Sequence, residues 1–137
     1  MDHLCRQARA LDLPYGDRTM TYNSRHAQEL GLWAQDRGKG ETFHDAAFKA
    51  YFVDGDNLAM KEILLKIAER AGLIDREAEQ VIDSRSYSDA VDKDWQRARE
   101  LGIDAVPTFV INGEKLVGAQ EYRSLVKFIT RHGAKKV

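Results

Sequence analysis

Cys5 is the only residue of this sequence that carries a thiol, the side chain best suited to redox or nucleophilic chemistry. A dithiol redox motif needs a second cysteine three residues further along, and that position is Ala8. The sequence therefore excludes an internal disulfide and any Cys-x-x-C pair carried by this chain alone. A monothiol nucleophile stays open, but a cysteine on the face of a short helix is the preferred interpretation.

A proline stands at the start of the most strand-like segment of the chain. The segment Val106-Pro107-Thr108-Phe109-Val110-Ile111 is rich in β-branched and aromatic residues. Proline is rare inside strands because it has no N–H to donate. Two explanations are open: a cis peptide bond that leaves backbone groups available to a ligand, or a trans proline that opens an edge strand.

The other polar side chains form no metal-binding or phosphate-binding pattern. The histidines are scattered, without a pair at helical spacing or a cysteine partner, so we predict no metal site. They are His3, His26, His44 and His132. The segment Gly38-Lys39-Gly40 follows a predicted helix rather than a strand, which argues against a phosphate-binding loop.

Length and composition fit one globular domain. The 137 residues are 43% hydrophobic and 31% charged, with a formal net charge of -1. This charge argues against a nucleic-acid partner, because nucleic-acid-binding domains concentrate positive charge. No apolar run approaches the roughly 18 residues of a membrane span, and the polar start does not resemble a signal peptide. We therefore expect a cytoplasmic protein without a membrane partner.

Apolar residues at helical spacing predict a long helical region before the strand. Helices are expected over residues 1–12, from Asn23 or Ser24 to Gly38, from Thr42 to Asp54, from Met60 to Gly72, from Asp75 to Ile82, and from Ser86 or Ser88 to Gly102. Thr42 and Asp45 resemble a capping box at one of these starts. The clearest apolar stripe consists of Met60, Ile63, Leu64, Ile67, Ala68 and Ala71.

The end of the chain has a different pattern. Asn112-Gly113 separates the strand from a second short strand, Glu114-Lys115-Leu116-Val117. This dipeptide is the strongest short-range signal for a hairpin, because both turn positions need positive φ. A last helix, from about Glu121 to His132, is expected to bury one set of apolar residues: Tyr122, Leu125, Val126 and Ile129. The sequence predicts a mostly helical α/β protein.

The order of these segments resembles the DsbA-like thioredoxin-fold oxidoreductases over residues 20–131. Residues 102–111, followed by Asn112-Gly113 and Val117-Gly118-Ala119-Gln120, look like the C-terminal end of these proteins. More narrowly, residues 48–58 and 64–73 resemble the helical insert of the FrnE-type branch, a dithiol-disulfide isomerase group. The fold class implied is a DsbA-like helical insert plus the C-terminal β-hairpin-α unit of a thioredoxin fold.

The resemblance implies a role for Val106, Pro107 and Thr108. In this family a cis-proline loop lies beside the active-site thiols, and the residue before proline pairs with extended substrate through its backbone. These residues are expected to position thiol or disulfide protein substrates, or glutathione. We expect no cofactor, and no catalytic residue in this chain, because the family's Cys-x-x-C motif is absent.

The absence of that motif leads to the expectation of one truncated domain. Residues 1–102 would form the DsbA-type helical insert and residues 103–137 the C-terminal thioredoxin β-β-α unit. The expected function is that of a fragment of a DsbA/FrnE-like protein disulfide oxidoreductase or isomerase. A lone hairpin leaves an exposed edge, so the hairpin is expected either to pack on its own helices or to pair with another copy through that edge in a homodimer.

Two alternatives stay open. A relative of kappa-class glutathione transferases or of 2-hydroxychromene-2-carboxylate isomerases would share the architecture and use glutathione. A non-catalytic helical protein-binding module would instead bind peptide without redox activity.

Overall fold

The computed structural model describes residues 3–16 and 20–135. Within these residues the elements are α1 (His3–Ala10), α2 (Arg25–Asp36), α3 (Gly40–Lys49), a π-helical turn (Ala50–Asp54), α4 (Lys61–Arg70), α5 (Asp75–Ser84), α6 (Ser88–Glu100), β1 (Thr108–Ile111), β2 (Glu114–Val117) and α7 (Tyr122–Arg131). The chain divides into two compact units, Met1–Lys93 and Asp94–Val137. This division falls within α6, whereas the sequence-based boundary lies between residues 102 and 103.

The first unit has a core built by the apolar faces of its helices. Leu30 of α2, Phe43 of α3 and Leu64 of α4 are almost completely buried. The predicted stripe on α4 is confirmed at four positions, which are buried: Leu64, Ile67, Ala68 and Ala71. Met60 is exposed because it precedes the helix as its N-cap residue.

The start of α3 differs from the predicted one. The helix begins at Gly40, with Lys39 as its N-cap residue. The Thr42 hydroxyl donates a hydrogen bond to the Lys39 carbonyl over 3.0 Å. A capping threonine would instead accept a bond from a backbone N–H, so the capping box predicted at Thr42 and Asp45 is wrong.

A π-helical turn continues α3 to Asp54, where the sequence predicts the helix to end, and Gly55 follows as its C-cap residue with a φ of 74°. The segment between α1 and α2 contacts this turn through Tyr15 and Gly16. The Gly16 N–H donates to the Phe52 carbonyl over 2.8 Å, and the Tyr15 and Phe52 ring centroids are 6.2 Å apart. A Cβ atom at Gly16 would lie 2.1 Å from the Val53 carbonyl oxygen, so only glycine allows this approach.

The second unit contains the predicted hairpin. β1 and β2 are antiparallel, with Thr108 opposite Val117 and Ile111 opposite Glu114. Asn112 and Gly113 form the turn with φ angles of 50° and 80°. Both values are positive, as the dipeptide predicts, and the hairpin is confirmed.

The buried side of α7 differs from the predicted one. Phe128 is 6% exposed, whereas Tyr122 is 78% exposed and Ile129 is also exposed. Leu125 and Val126 are half-buried. The prediction that Tyr122 and Ile129 are buried is wrong, because Phe128 takes the buried side. Tyr122 is rotated from it by about 120° around the helix axis.

Candidate functional site

The loop before β1 brings Val106 and Pro107 to the surface. Val106 is 89% exposed, Pro107 is exposed and Thr108 is half-buried. The peptide bond between Val106 and Pro107 is cis. Across residues 3–16 and 20–135, no residue forms a hydrogen bond with the backbone N–H or C=O of Val106. These two groups are therefore accessible to a ligand.

Two hydrogen bonds hold the backbone around Pro107. The Gly118 N–H donates to the Pro107 carbonyl over 2.8 Å. The Thr108 hydroxyl donates to the Ala105 carbonyl over 2.6 Å. Because residues on both sides of Val106 are tied in this way, the loop presents the Val106 backbone to solvent in a defined position.

Lys115 holds the other end of this loop, and it was missed by sequence reasoning. Its Nζ donates to the carbonyls of Leu101 and Gly102, at 2.8 Å each. A helix ends with carbonyls that have no partner within the helix and carry partial negative charge, which a lysine ammonium satisfies. The hairpin register places Lys115 opposite Val110. No sequence signal shows that the side chain reaches the end of α6.

The hairpin register also shows which backbone groups face outward. The residues flanking a two-residue turn, Ile111 and Glu114, form a hydrogen-bonded pair, and such pairs alternate along an antiparallel ladder. The bond between Pro107 and Gly118 agrees with this alternation. The N–H and C=O groups of Thr108 and Val110 therefore point away from β2. Together with Val106 they can accept an extended peptide through β-type hydrogen bonds.

Cys5 lies in α1 and its side chain is half-buried. No second cysteine exists in the sequence. This placement fits the interpretation of Cys5 as a helix-face residue.

The histidines are not brought together with other metal ligands. Where the structure describes the chain, no three His, Cys, Asp or Glu side chains are close enough to hold a metal ion. The side chain of His3 lies outside the described part. Also within that part, no helix is both long and apolar enough to cross a membrane.

A buried carboxylate in the first unit was also missed. Glu29 is 1% exposed. Arg85 donates to its two oxygens, with Nε–Oε2 at 2.9 Å and Nη2–Oε1 at 2.7 Å. Arg25 donates from Nε to Oε1 over 2.9 Å. The hydrogen bonds from Arg85, and then those from Arg25, hold the pKa of Glu29 below its ordinary value, although burial acts in the opposite direction. This cluster joins α2 to the end of α5.

Known proteins from several bacteria are similar to this chain. The uncharacterized protein YwbO of Bacillus subtilis is 30% identical over 105 residues, which cover 76% of this chain and 52% of YwbO. The ClpXP adapter protein SpxH of Halalkalibacterium halodurans is 32% identical over 85 residues, covering 57% of this chain and 28% of SpxH. A crystal structure of a probable DsbA oxidoreductase from Streptomyces coelicolor matches 99% of this chain with a TM-score of 0.85 and 28% identity.

The chain spans about half of YwbO, at 52%, and 61% of the Streptomyces protein. The sequence model of the DSBA-like thioredoxin domain matches residues 1–130, nearly all of the chain. The order of helices, hairpin and last helix agrees with that match. This chain therefore belongs to the DSBA-like thioredoxin domain family.

Proposed function

We propose that this chain is the substrate-positioning part of a protein disulfide oxidoreductase or isomerase. The observation that carries the proposal is the exposed Val106 backbone, which is held in place but has no hydrogen-bond partner in the described residues. An extended protein segment that contains a thiol or a disulfide would pair with it as an added strand. Membership of the DSBA-like family supports this assignment.

The covalent step needs more than this chain carries. In thiol–disulfide exchange a thiolate attacks one sulfur of the substrate disulfide, forms a mixed disulfide and releases the other sulfur as a thiolate. A second cysteine then resolves the mixed disulfide. The sequence has one cysteine, so the proposal places the catalytic pair outside these 137 residues.

We also propose that the protein belongs to the FrnE-type branch of the family and lies in the cytoplasm. The likeness of residues 48–58 and 64–73 to the FrnE-type insert supports an isomerase rather than a simple oxidant. Refolding of a protein with scrambled disulfides, by an intact relative that contains this segment, tests the isomerase activity. The cytoplasmic location expected from the sequence belongs to the same proposal, and cell fractionation tests it.

Peptide binding tests the role of the loop directly. The probe is an extended peptide with one alkylated cysteine, titrated into the chain and followed by amide NMR shifts. We expect shifts at residues 105–110, and weaker binding of a peptide that is N-methylated beside the cysteine, because methylation removes a backbone donor. Thr108→Val should weaken binding several-fold, since it loses the bond to the Ala105 carbonyl.

Thr42→Val is the matched control, because the Thr42 hydroxyl also donates to a carbonyl three residues earlier. It should leave peptide binding unchanged. Shifts confined to other parts of the chain, or equal binding of the N-methylated peptide, would contradict the proposal. Reduction of insulin disulfides by this chain alone would contradict the placement of the catalytic pair elsewhere. If glutathione shifts the same amide signals and the peptide does not, the result would favour the glutathione transferase alternative.

A further inference from the structure

One surface of α7 combines basic and apolar side chains, and its last member, Arg131, also lies over the Phe128 ring at 5.8 Å. Tyr122, Val126 and Thr130 form one row at a spacing of four residues, and Arg123, Lys127 and Arg131 form a second row beside it. The six side chains line a shallow depression of about 450 Å³. We call this surface the α7 outer face.

The positive charge of this face is only partly neutralised within the chain. α7 contains three basic residues and no acidic residue. Arg131 pairs with Glu114. In the described part of the chain, no side chain forms an ion pair or hydrogen bond with Arg123 or Lys127. The helical rise places successive cations about 6 Å apart along the axis.

The row beside these cations is apolar at two of its three positions. Tyr122 is 78% exposed, and Val126 is half-buried. An exposed tyrosine supplies a large contact area with little loss of side-chain entropy, which is why tyrosines often dominate binding energy at interfaces.

We infer that the α7 outer face binds an acidic amphipathic helix of another protein. Carboxylates repeated every fourth residue on that helix would pair with the cation row, and an adjacent apolar row would cover Tyr122 and Val126. Three cations on a chain with a net charge of -1 suit such a segment better than a phosphate polymer, whose binding requires a strongly basic surface.

The test uses a fluorescein-labelled helical peptide with glutamates every fourth residue beside a row of leucines, and the whole chain. Fluorescence anisotropy should show saturable binding that weakens as salt rises, because salt screens the charge pairs. The same peptide with glutamine in place of glutamate should bind about tenfold more weakly.

Arg123→Glu with Lys127→Glu should lower the affinity of the chain at least about tenfold, and Tyr122→Ser should lower it by a similar factor. A peptide with lysine in place of glutamate should regain affinity for the double variant. Circular dichroism should show an unchanged fold, since these side chains lie on the surface. Lys93→Glu with Arg97→Glu is the matched control, because it changes the same charge at the same spacing on α6, and binding should not change.

Several outcomes would overturn the inference. They are no saturable binding, equal binding of a scrambled peptide, an equal loss in the α6 control, or displacement of the peptide by duplex DNA or anionic vesicles at lower concentration.

Discussion

Glu29 is held by two arginines that come from distant parts of the sequence. Its carboxylate has lost nearly all contact with water, so its charge must be satisfied by protein donors. Arg85 supplies two hydrogen bonds and Arg25 one. The arginines keep some contact with solvent, at 16% exposure for Arg25 and 45% for Arg85. Loss of the Glu29 carboxylate should therefore destabilise the fold more than loss of either arginine.

Glu29→Gln should lower the free energy of unfolding at pH 7 by about 2 kcal/mol, because a neutral amide loses charge-assisted hydrogen bonds and puts a donor against the arginines. Urea unfolding followed by circular dichroism measures this. Glu79→Gln is the matched control, since Glu79 also pairs with a cation, Lys61 at 2.9 Å, but at an exposed site. If both variants lose the same free energy of unfolding, burial does not make the Glu29 ion pairs more stabilising than an exposed pair.

The wild-type chain and Glu29→Gln should also differ in how their free energies of unfolding depend on pH. The folded-state pKa of Glu29 lies below its ordinary value of 4.5. The stabilisation by its charge is therefore complete above that value and is lost as pH falls toward the folded pKa, because the unfolded chain takes up a proton first. The stability gap between wild type and Glu29→Gln should narrow below pH 4.5. A constant gap down to the lowest measurable pH would be inconsistent with this role.

Sequence could suggest only part of this cluster. Arg25 and Glu29 are four residues apart, a spacing that favours an ion pair on one helix. Arg85 lies 56 residues beyond Glu29, so its contribution depends on how α2 and α5 pack. Tertiary contacts of this kind leave no local pattern.

At the scale of elements, the segment around Gly16 depends on a close backbone approach. Its N–H bonds to the π-helical turn at Phe52, and the Val53 carbonyl occupies the place of a side chain. Tyr15 adds a ring contact with Phe52. This contact fixes the segment before α2 against the end of α3.

Gly16→Ala should destabilise the chain by about 2 to 3 kcal/mol, because the new methyl group collides with a backbone carbonyl and one of the two must move. Gly38→Ala is the control: nothing lies within 4 Å of its Cβ position, and only its φ of +68° is unfavourable. Its cost should be about 1 kcal/mol. Thermal unfolding of both variants measures the two losses of stability. A loss for Gly16→Ala no larger than that for Gly38→Ala would show that the new methyl group does not collide with the Val53 carbonyl.

Elements with strong local signals were predictable, and those decided by packing were not. The hairpin follows from the conformational needs of Asn112 and Gly113, and the helix that includes the π-helical turn ends at Asp54, as the sequence predicts. Thr42 carries the residue type of a cap, but the helix starts earlier and its hydroxyl donates instead. Tyr122 and Ile129 share a helical stripe with Leu125, yet tertiary packing selects the side of Phe128.

At the scale of the whole molecule, the open edge of β1 predicts self-association. The N–H of Val110 points away from β2, so it is available to another strand. Sedimentation equilibrium should show a concentration-dependent dimer. Val110→Pro should shift it to monomer, because proline has no donor to offer and leaves the bonds between β1 and β2 in place.

Val110→Thr keeps the N–H and should still dimerise. Amide NMR of Val110→Pro must show an intact hairpin for the comparison to count. A chain that stays monomeric at all concentrations would disprove the dimer, as would a Val110→Pro variant that dimerises like wild type.

The family was recognisable from the order of short motifs, because the loop, the hairpin and the helical insert each leave a local signature in the sequence. The residues proposed to meet substrate were therefore named from sequence. The contact that holds their loop in place could not be predicted in the same way. The Lys115 ammonium reaches the end of α6 only because of the fold, and no spacing rule connects it to Gly102.

Gly102 and Lys115 are coupled in a way that constrains how this sequence can change. A Cβ atom at position 102 would lie 2.8 Å from the Lys115 Nζ, and the backbone φ there is +61°. Because that Nζ is the end of a flexible side chain, it could move aside for a new side chain, so the positive φ is the greater obstacle to substitution at position 102. The move would displace the Lys115 ammonium from the carbonyls of Leu101 and Gly102, so a side chain at position 102 would release the hairpin from the end of α6.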